Sequence, residues 1–228
     1  MPDHPLKLAF IDVKYTKPIV LPKGFLEKLP RRVALFTTIQ FHDQYEKLKG
    51  QLKAAGKEVV VLRPKHAWHD GQLLGCGVED WSKERVDAFV YVGDGLFHPK
   101  AILFQNTAPV HLYDPKTGDE RTITQEELRP LLKRRKGALT TFHTAKRVGV
   151  LITTKYGQER LTRSFALETQ YPGKEFYYFL DDTLNLHGLE DFPFIEVYVN
   201  TACPRMMDDH EKLVRPVLNI ADITENAW

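Results

Sequence analysis

Two cysteines are the residues of this chain whose chemistry is easiest to name. Cys203 lies in Asn200-Thr-Ala-Cys-Pro-Arg205, directly after the apolar run 194–199, and Cys76 ends the glycine-containing stretch Gly71-Gln-Leu-Leu-Gly-Cys76. An apolar run rich in β-branched and aromatic residues predicts a buried strand. The loops at the carboxyl ends of strands bind ligands in α/β sheets, so we expect the two cysteine loops to face one site.

Several kinds of chemistry are open to these thiols. A zinc site is disfavoured, because neither cysteine has another Cys or His two to four residues away. A hydrolase with Cys203 as nucleophile and His98 as base would need an activating environment that sequence alone does not reveal. Two buried structural cysteines are the remaining interpretation.

The composition limits the class of protein. With 228 residues, of which 43% are apolar and 11% aromatic, the chain can bury an ordinary core as one large or two small domains. A net charge of +2 gives no overall case for nucleic acid, and direct binding of DNA is not expected. Two cysteines, no signal peptide and no apolar stretch of about 18 residues predict a soluble cytoplasmic protein outside the membrane.

Hydrophobic periodicity predicts alternating strands and helices. The predicted strands are residues 33–38, 58–62, 86–92, 109–113, 148–153, 175–180 and 194–199, and the predicted helices include 40–55, 98–104 and 158–170. Strand 58–62 has no polar alternation, so we expect both of its faces to be buried. A further helix is predicted to start after Thr124.

The charge run Lys133-Arg-Arg-Lys136 follows that helix start. Such a run is typical of a solvated helix face. The alternative interpretation is a docking surface for an acidic or RNA-containing partner.

The two halves of the chain repeat the same landmarks in the same order. Val33-Ala-Leu-Phe-Thr-Thr resembles Val150-Leu-Ile-Thr-Thr, and Gly56-Lys-Glu resembles Gly173-Lys-Glu, each ahead of an apolar run. We therefore predict an α/β fold of two tandem Rossmann-like three-layer domains with mostly parallel sheets, related by internal duplication. The predicted domains are residues 1–125, which carry Cys76, and residues 126–228, which carry Cys203.

Two further polar loops follow predicted strands. Glycines in Gly93-Asp-Gly95 and in Thr153-Thr-Lys-Tyr-Gly-Gln158 would let backbone N–H groups approach a ligand closely. The first loop lacks the third glycine of the dinucleotide fingerprint, so nicotinamide binding is disfavoured.

Four motifs together resemble the diphthamide synthase family of atypical radical-SAM 3-amino-3-carboxypropyl transferases. They are Gly71-Gln-Leu-Leu-Gly-Cys76, Asp87-Ala-Phe-Val-Tyr-Val-Gly-Asp-Gly-Leu-Phe-His-Pro99, Gly149-Val-Leu-Ile-Thr-Thr-Lys-Tyr-Gly-Gln158 and Val199-Asn-Thr-Ala-Cys-Pro-Arg205. They occur in the family's order and span roughly residues 30 to 220, which makes the resemblance specific.

The resemblance implies a 4Fe–4S cluster and S-adenosylmethionine (SAM) as cofactors. Cys76 and Cys203 match the family's second and third cluster ligands, and soft thiolates suit iron–sulfur chemistry. By analogy, the residues that line the SAM pocket would be Gln72, Gly75, Gly93, Asp94, Gly95, Thr153, Gln158 and Arg205. Among these, Arg205 suits a carboxylate and Asp94 an amine; no residue is assigned as catalytic.

The implied function is diphthamide biosynthesis, in which a 3-amino-3-carboxypropyl radical from SAM adds to a histidine of translation elongation factor 2. The family has three homologous domains with one cysteine each, and this sequence matches the second and third. A partner chain or second copy could complete the site, or His or Asp could replace the third cysteine. The alternatives are a non-catalytic subunit that binds the elongation factor or the true catalyst, and a divergent paralogue that binds SAM without a complete cluster.

Overall fold

The structure is a computed structural model that describes residues 9, 11–206 and 215–224. The chain divides into two compact units, Met1–Gln125 and Glu126–Trp228. In the described part, no helix combines the length and the apolar character needed to cross a membrane.

The first unit contains three helices and five strands within its described residues. In chain order they are α1 (Lys23–Lys28), β1 (Arg32–Thr37), α2 (Tyr45–Ala54), β2 (Glu58–Val60), β3 (Ala88–Val92), α3 (Phe97–Gln105), β4 (Val110–Tyr113) and β5 (Glu120–Ile123). The sheet has the strand order β2-β1-β3-β4-β5. Its first four strands are parallel, and β5 runs antiparallel to β4.

Apolar residues cover both faces of this sheet. On one face, Leu48 and Leu52 of α2 pack with Val33 and Leu35 of β1. On the other, the Phe36 ring stacks on Trp81, with ring centroids 5.0 Å apart. Both faces are therefore closed to water over the central strands, as a parallel sheet requires.

Two predicted elements of this unit are wrong in part. Strand 58–62 is shorter than predicted and lies at the edge of the sheet, where Glu58 is exposed and Val61 retains 45% of its accessible surface. The apolar run 58–62 therefore did not indicate a strand with two buried faces, because β2 is an edge strand with a neighbouring strand on one side only. The predicted helix 40–55 begins as a 3₁₀ turn, Ile39–Gln44, before α2.

The second unit contains two helices and four strands within its described residues. They are α4 (Gln125–Thr144), β6 (Arg147–Thr153), α5 (Leu161–Gln170), β7 (Glu175–Asp181), β8 (Val197–Asn200) and β9 (Val217–Asn219). All four strands are parallel, in the order β7-β6-β8-β9. The predicted helix 158–170 starts three residues late, and only the second half of the predicted strand 194–199 lies in β8.

The two faces of the second sheet are covered differently. Phe142 of α4 and Leu167 of α5 pack with Val150 on one face. On the other face, Tyr198 packs with Leu189, which lies in the 3₁₀ turn His187–Asp191. A coil and a short turn therefore cover this face.

The order of strands supports the predicted duplication. The sequence β1-α2-β2-β3-β4 has the sheet order β2-β1-β3-β4, and β6-α5-β7-β8-β9 has the order β7-β6-β8-β9. In each unit, the first of these strands lies between the second and the third. The predicted α/β fold with mostly parallel sheets is confirmed.

Candidate functional site

The Cys76 loop extends the first sheet at the carboxyl end of β1. Thr37 donates its backbone N–H to the carbonyl of Gly71 (2.9 Å), and Leu73 donates its N–H to the carbonyl of Thr37 (2.8 Å). Thr37 also pairs with Val92, the last residue of β3. Residues 71–73 therefore lie at the same end of the sheet as the loop that follows β3.

Gln72 organises its own loop. Its side chain is buried, and its Oε1 accepts hydrogen bonds from the backbone N–H groups of Trp68 (2.9 Å) and His69 (3.1 Å). Such side-chain acceptors satisfy turn N–H groups that no strand partner reaches. The amide oxygen of Gln72 therefore fixes the chain segment that precedes Cys76.

Glycines shape the chain on both sides of Cys76. Gly71 has φ 71°, and a β-carbon there would overlap the ring of Tyr45. A β-carbon at Gly75 would overlap the ring of Phe97, and one at Gly77 the carbonyl oxygen of Lys65. Cys76 itself is exposed on the 3₁₀ turn Gly75–Gly77. Neighbouring groups therefore pack directly against the backbone of these glycines, and the Cys76 side chain stays at the surface.

The Gly93–Gly95 loop follows β3 and packs against the hydroxyl of Tyr91, which lies in β3. The Tyr91 hydroxyl donates to the carbonyl of Asp94 (3.3 Å) and fills the space that a β-carbon at Gly93 would need. Burial raises the pKa of Tyr91, so its hydroxyl stays protonated as a donor. Gly95 has φ 69° and is exposed.

Asp94 already has an ion partner in this structure. The Nζ of Lys116, in the turn between β4 and β5, lies 2.7 Å from the Asp94 Oδ2. The same ammonium lies 5.7 Å from the centroid of the Phe41 ring. Hydrogen bonding to Asp94 raises the pKa of Lys116, so the Lys116 ammonium stays protonated near neutral pH. Both side chains keep more than two fifths of their surface exposed, so solvent screens the pair.

Two histidines, His42 and His69, lie beside the Cys76 loop. His42 shares a hydrogen bond of 3.1 Å between its Nδ1 and the Thr37 Oγ1, and its ring stacks on that of His69 at 4.9 Å between centroids. Burial lowers the pKa of His42, and the neighbouring His69 lowers it further. The hydroxyl of Tyr45, beneath Gly71, has no hydrogen-bond partner among the described residues.

In the second unit, Asn200 shapes the Cys203 loop. Its Nδ2 donates to the carbonyl of Cys203 (3.0 Å) and to the Asn219 Oδ1 (2.8 Å), while its Oδ1 accepts from the N–H of Ala202 (3.0 Å). Asn200 is fully buried at the end of β8. One amide therefore turns the chain and ties the Cys203 loop to β9.

Thr201 fixes the loop to the neighbouring strand. Its Oγ1 donates to the carbonyl of Leu151 in β6 (2.8 Å), and its N–H donates to the same carbonyl (3.0 Å). Cys203 is half-buried, and Arg205 is exposed. Neither cysteine is in a disulfide.

The other predicted residues of this unit lie at the end of β6 and in the loop that follows it. Thr153 is buried and donates its Oγ1 to the carbonyl of Asp182 (2.9 Å), and the same oxygen accepts from the N–H of Lys155 (3.2 Å). Gln158 is exposed, and its N–H donates to the carbonyl of Lys155 (3.0 Å). The Thr153 hydroxyl therefore holds the loop after β6 to the segment after β7.

The structure gathers the predicted residues unit by unit. The loops at the carboxyl end of the first sheet hold Gln72, Gly75, Cys76, Gly93, Asp94 and Gly95. Those of the second hold Gln158, Cys203 and Arg205, and Thr153 is the last residue of β6. Sequence reasoning missed Lys116, Tyr91 and the role of Asn200. An Asn directly after a strand is a turn signal that could have indicated the last of these.

Comparisons with known proteins agree with this arrangement. The family model described as "Putative diphthamide synthesis protein" matches residues 7–224. The 2-(3-amino-3-carboxypropyl)histidine synthase of Pyrococcus horikoshii is 30% identical over 220 residues, which cover 94% of this chain and 63% of that protein. Subunit 1 of the synthase of the same name from Homo sapiens is 28% identical, over 91% of this chain and 47% of the relative.

A crystal structure of Dph2 from Pyrococcus horikoshii with a 4Fe–4S cluster matches with a TM-score of 0.70 at 30% identity. The match covers 88% of this chain and 58% of that chain. This chain therefore spans less than two thirds of the length of these relatives. Since the family model extends over almost all of it, the chain belongs to the diphthamide synthesis protein family.

Proposed function

We propose that this chain acts in diphthamide biosynthesis, in the transfer of the 3-amino-3-carboxypropyl group of SAM to a histidine of translation elongation factor 2. The observation that carries the proposal is one reduced cysteine in each unit, held in a loop at the carboxyl end of the parallel strands of its sheet. The relatives named as histidine synthases and the cluster-containing neighbour support it.

The donor set fits part of an iron–sulfur site. Cys76 is exposed between two glycines, and Cys203 is half-buried in a loop fixed by hydrogen bonds, so each offers a thiol without a competing disulfide. Thiolates are the ligands that hold such clusters. In the described residues, however, no group of three or more Cys, His, Asp or Glu side chains forms a metal site. We therefore propose Cys76 and Cys203 as two ligands of a site that another chain or second copy completes.

When bound, the cluster would supply the electron that cleaves SAM. The residues of this chain would bind and orient the substrate. Arg205 would hold the carboxylate of SAM and Asp94 its amine, because charge-assisted hydrogen bonds are the strongest available to these groups. Gly93 and Gly95 would admit the ligand close to the backbone, and Gln72, Gly75, Thr153 and Gln158 complete the proposed lining.

A second candidate function follows from the cysteine count. With two cysteines in the whole sequence, the chain is one ligand short of the family pattern. A non-catalytic subunit, or a paralogue that binds SAM or the elongation factor without a complete cluster, would need no third thiolate. A cytoplasmic location remains a prediction from the cysteine usage.

Anaerobic reconstitution with iron and sulfide tests the proposal. Electron paramagnetic resonance of the reduced protein would be recorded with and without SAM, for the parent chain, Cys76→Ala and Cys203→Ala. His187→Ala, an exposed substitution outside the candidate residues, serves as control. We expect a cluster signal that SAM perturbs and that either cysteine substitution abolishes.

Other outcomes separate the candidates. Iron that never binds, alone or with a cysteine-bearing partner, would rule out the catalytic role and leave the accessory subunit. SAM binding by the iron-free chain, undiminished in both cysteine variants, would favour the cluster-free paralogue.

A further inference from the structure

Helix α4 carries an exposed basic surface that the thiol chemistry does not use. Arg129, Lys133, Arg134 and Lys136 are all exposed on its middle turns, and we call these four residues the basic ridge. Within residues 9, 11–206 and 215–224, none of the four side chains forms an ion pair or hydrogen bond. Four unpaired cations within eight residues form a concentrated positive surface on a chain whose net charge is only +2.

The helix positions the ridge away from the core. Arg129, Lys133 and Lys136 follow one another at steps of four and three residues, so they lie on one face and span about 10 Å of the helix axis. Leu128, Ala138 and Phe142 are buried. The core side and the basic side of α4 are therefore distinct.

Arg135 interrupts the charge run for a structural reason. Its guanidinium lies 2.6 Å from the Asp222 Oδ1, and this carboxylate is almost fully buried. The Asp222 Oδ2 also accepts from the N–H of Asn219 (2.9 Å). Arg135 thus ties α4 to the turn after β9, and its four basic neighbours face solvent.

The ridge lacks the features of a protein-docking surface. The large exposed hydrophobic residues described in this unit lie outside α4; they are Tyr156, Phe165, Leu180, Phe192 and Phe194. Protein interfaces are centred on aromatic and aliphatic anchors. A surface of cations alone suits the phosphate backbone of a nucleic acid, whose binding is dominated by such contacts.

We propose that the basic ridge binds the phosphate backbone of double-stranded RNA. A helix in the DNA major groove reads guanine with Arg or Lys, and it reads adenine with the side-chain amide of an Asn or Gln residue. The single such residue of α4 is Gln125, whose Nε2 is committed to the carbonyls of Leu103 and Asn106, both at 3.0 Å. An RNA duplex is bound mainly by its shape and its phosphates, which needs cations and no base-reading amide.

Fluorescence anisotropy of the full chain with a labelled RNA duplex of about 16 base pairs tests this proposal. The ridge variant is Lys133→Gln/Arg134→Gln/Lys136→Gln. The matched control, Lys47→Gln/Lys53→Gln/Lys83→Gln, removes the same charge from exposed lysines of the first unit. We expect the ridge variant to bind at least about tenfold more weakly at about 0.1 M salt, with a salt-dependence slope smaller by roughly 2 to 3. The control should stay within about twofold of the parent.

Three results would overturn the proposal. The ridge variant and the control could bind RNA equally well, which would remove the ridge from the interface. A polyglutamate peptide could bind through the ridge more tightly than RNA, which would assign the surface to an acidic protein. A DNA duplex of the same sequence could bind as tightly, which would assign it to phosphate in general. Circular dichroism checks that the variants fold, and Lys133→Gln and Lys136→Gln replace the triple variant if it does not.

Discussion

At the scale of single residues, the ion pair between Asp94 and Lys116 bears most directly on the proposed substrate site. Asp94 can receive the amine of SAM only in competition with, or alongside, the ammonium of Lys116 at 2.7 Å. The two groups lie 22 positions apart in the sequence and meet because the turn after β4 reaches the loop after β3.

We expect Asp94→Asn to weaken SAM binding to the reconstituted protein by about tenfold or more, because a charge-assisted hydrogen bond is lost. Titration calorimetry would measure the affinity. Asp119→Asn, in the turn that carries Lys116, is the matched control and should leave the affinity unchanged. Lys116→Ala should keep or increase the affinity, since Asp94 then has no competing cation. Equal affinities for Asp94→Asn and Asp119→Asn would remove Asp94 from the site.

His42 makes the stability of the first unit depend on pH. Its folded-state pKa lies below the ordinary value of 6.5, chiefly because the ring is partly buried and faces His69 and Lys14, with Asp43 and Glu46 opposing. The unfolded chain therefore binds the proton more tightly, and His42 lowers the stability increasingly as the pH falls below about 6.5.

Thermal melting between about pH 7.5 and 5.5 would show this contribution as a difference between variants. We expect the melting temperature of His42→Gln to fall less steeply than that of the parent chain. His111, whose pKa is also lowered by burial, remains in both proteins and cancels in the comparison. His187→Gln, at an exposed position, should follow the parent curve. Parallel curves for His42→Gln and the parent would contradict the prediction.

At the scale of elements, the loop that carries Cys76 depends on glycines packed against aromatic rings. Gly71→Ala should destabilise the protein by about 2 kcal/mol or more, because it combines a positive φ with an overlap between the new methyl group and the Tyr45 ring. Gly118→Ala has a similar φ of 80° and no neighbour within 4 Å, so it should cost only about 1–2 kcal/mol. Urea unfolding would measure both, and equal losses would argue against the role of Tyr45.

Strand β6 needs a glycine for a different reason. A β-carbon at Gly149 would overlap the ring of Tyr198 in β8 and lie 3.1 Å from that of Phe179 in β7. Gly149→Ala should therefore destabilise the protein by about 1–3 kcal/mol through overpacking. Gly137→Ala, in the middle of α4 with no neighbour within 4 Å, should stabilise it by about 0.5–1 kcal/mol. A neutral Gly149→Ala in the same urea series would show that the two rings move aside freely.

At the scale of the whole molecule, the division after Gln125 predicts two independently folding parts. Each unit has its own sheet and its own buried core. We expect fragments 1–125 and 126–228 to unfold cooperatively when produced separately, with far-ultraviolet circular dichroism spectra that sum to that of the intact chain. A fragment with no cooperative transition, under conditions where the intact chain is folded, would show that the units depend on each other.

The sequence by itself determined the fold class and the placement of most of the candidate residues. Strand and helix periodicity is local, so the order of elements and the two cysteine loops at strand ends could be predicted from runs of a few residues. The duplicated landmarks likewise predicted the internal duplication: Gly56-Lys-Glu and Gly173-Lys-Glu lead into β2 and β7, which are the edge strands at equivalent positions of the two sheets.

The tertiary structure alone decided which strand lies at an edge and which side chains meet across loops. The run 58–62 is apolar enough for a central strand, yet β2 has a neighbour on one side only. The contact of Lys116 with Asp94 and the fit of Tyr45 under Gly71 join residues more than 20 positions apart. Such contacts depend on how the chain closes its loops in space, and no periodicity of neighbouring residues carries that information.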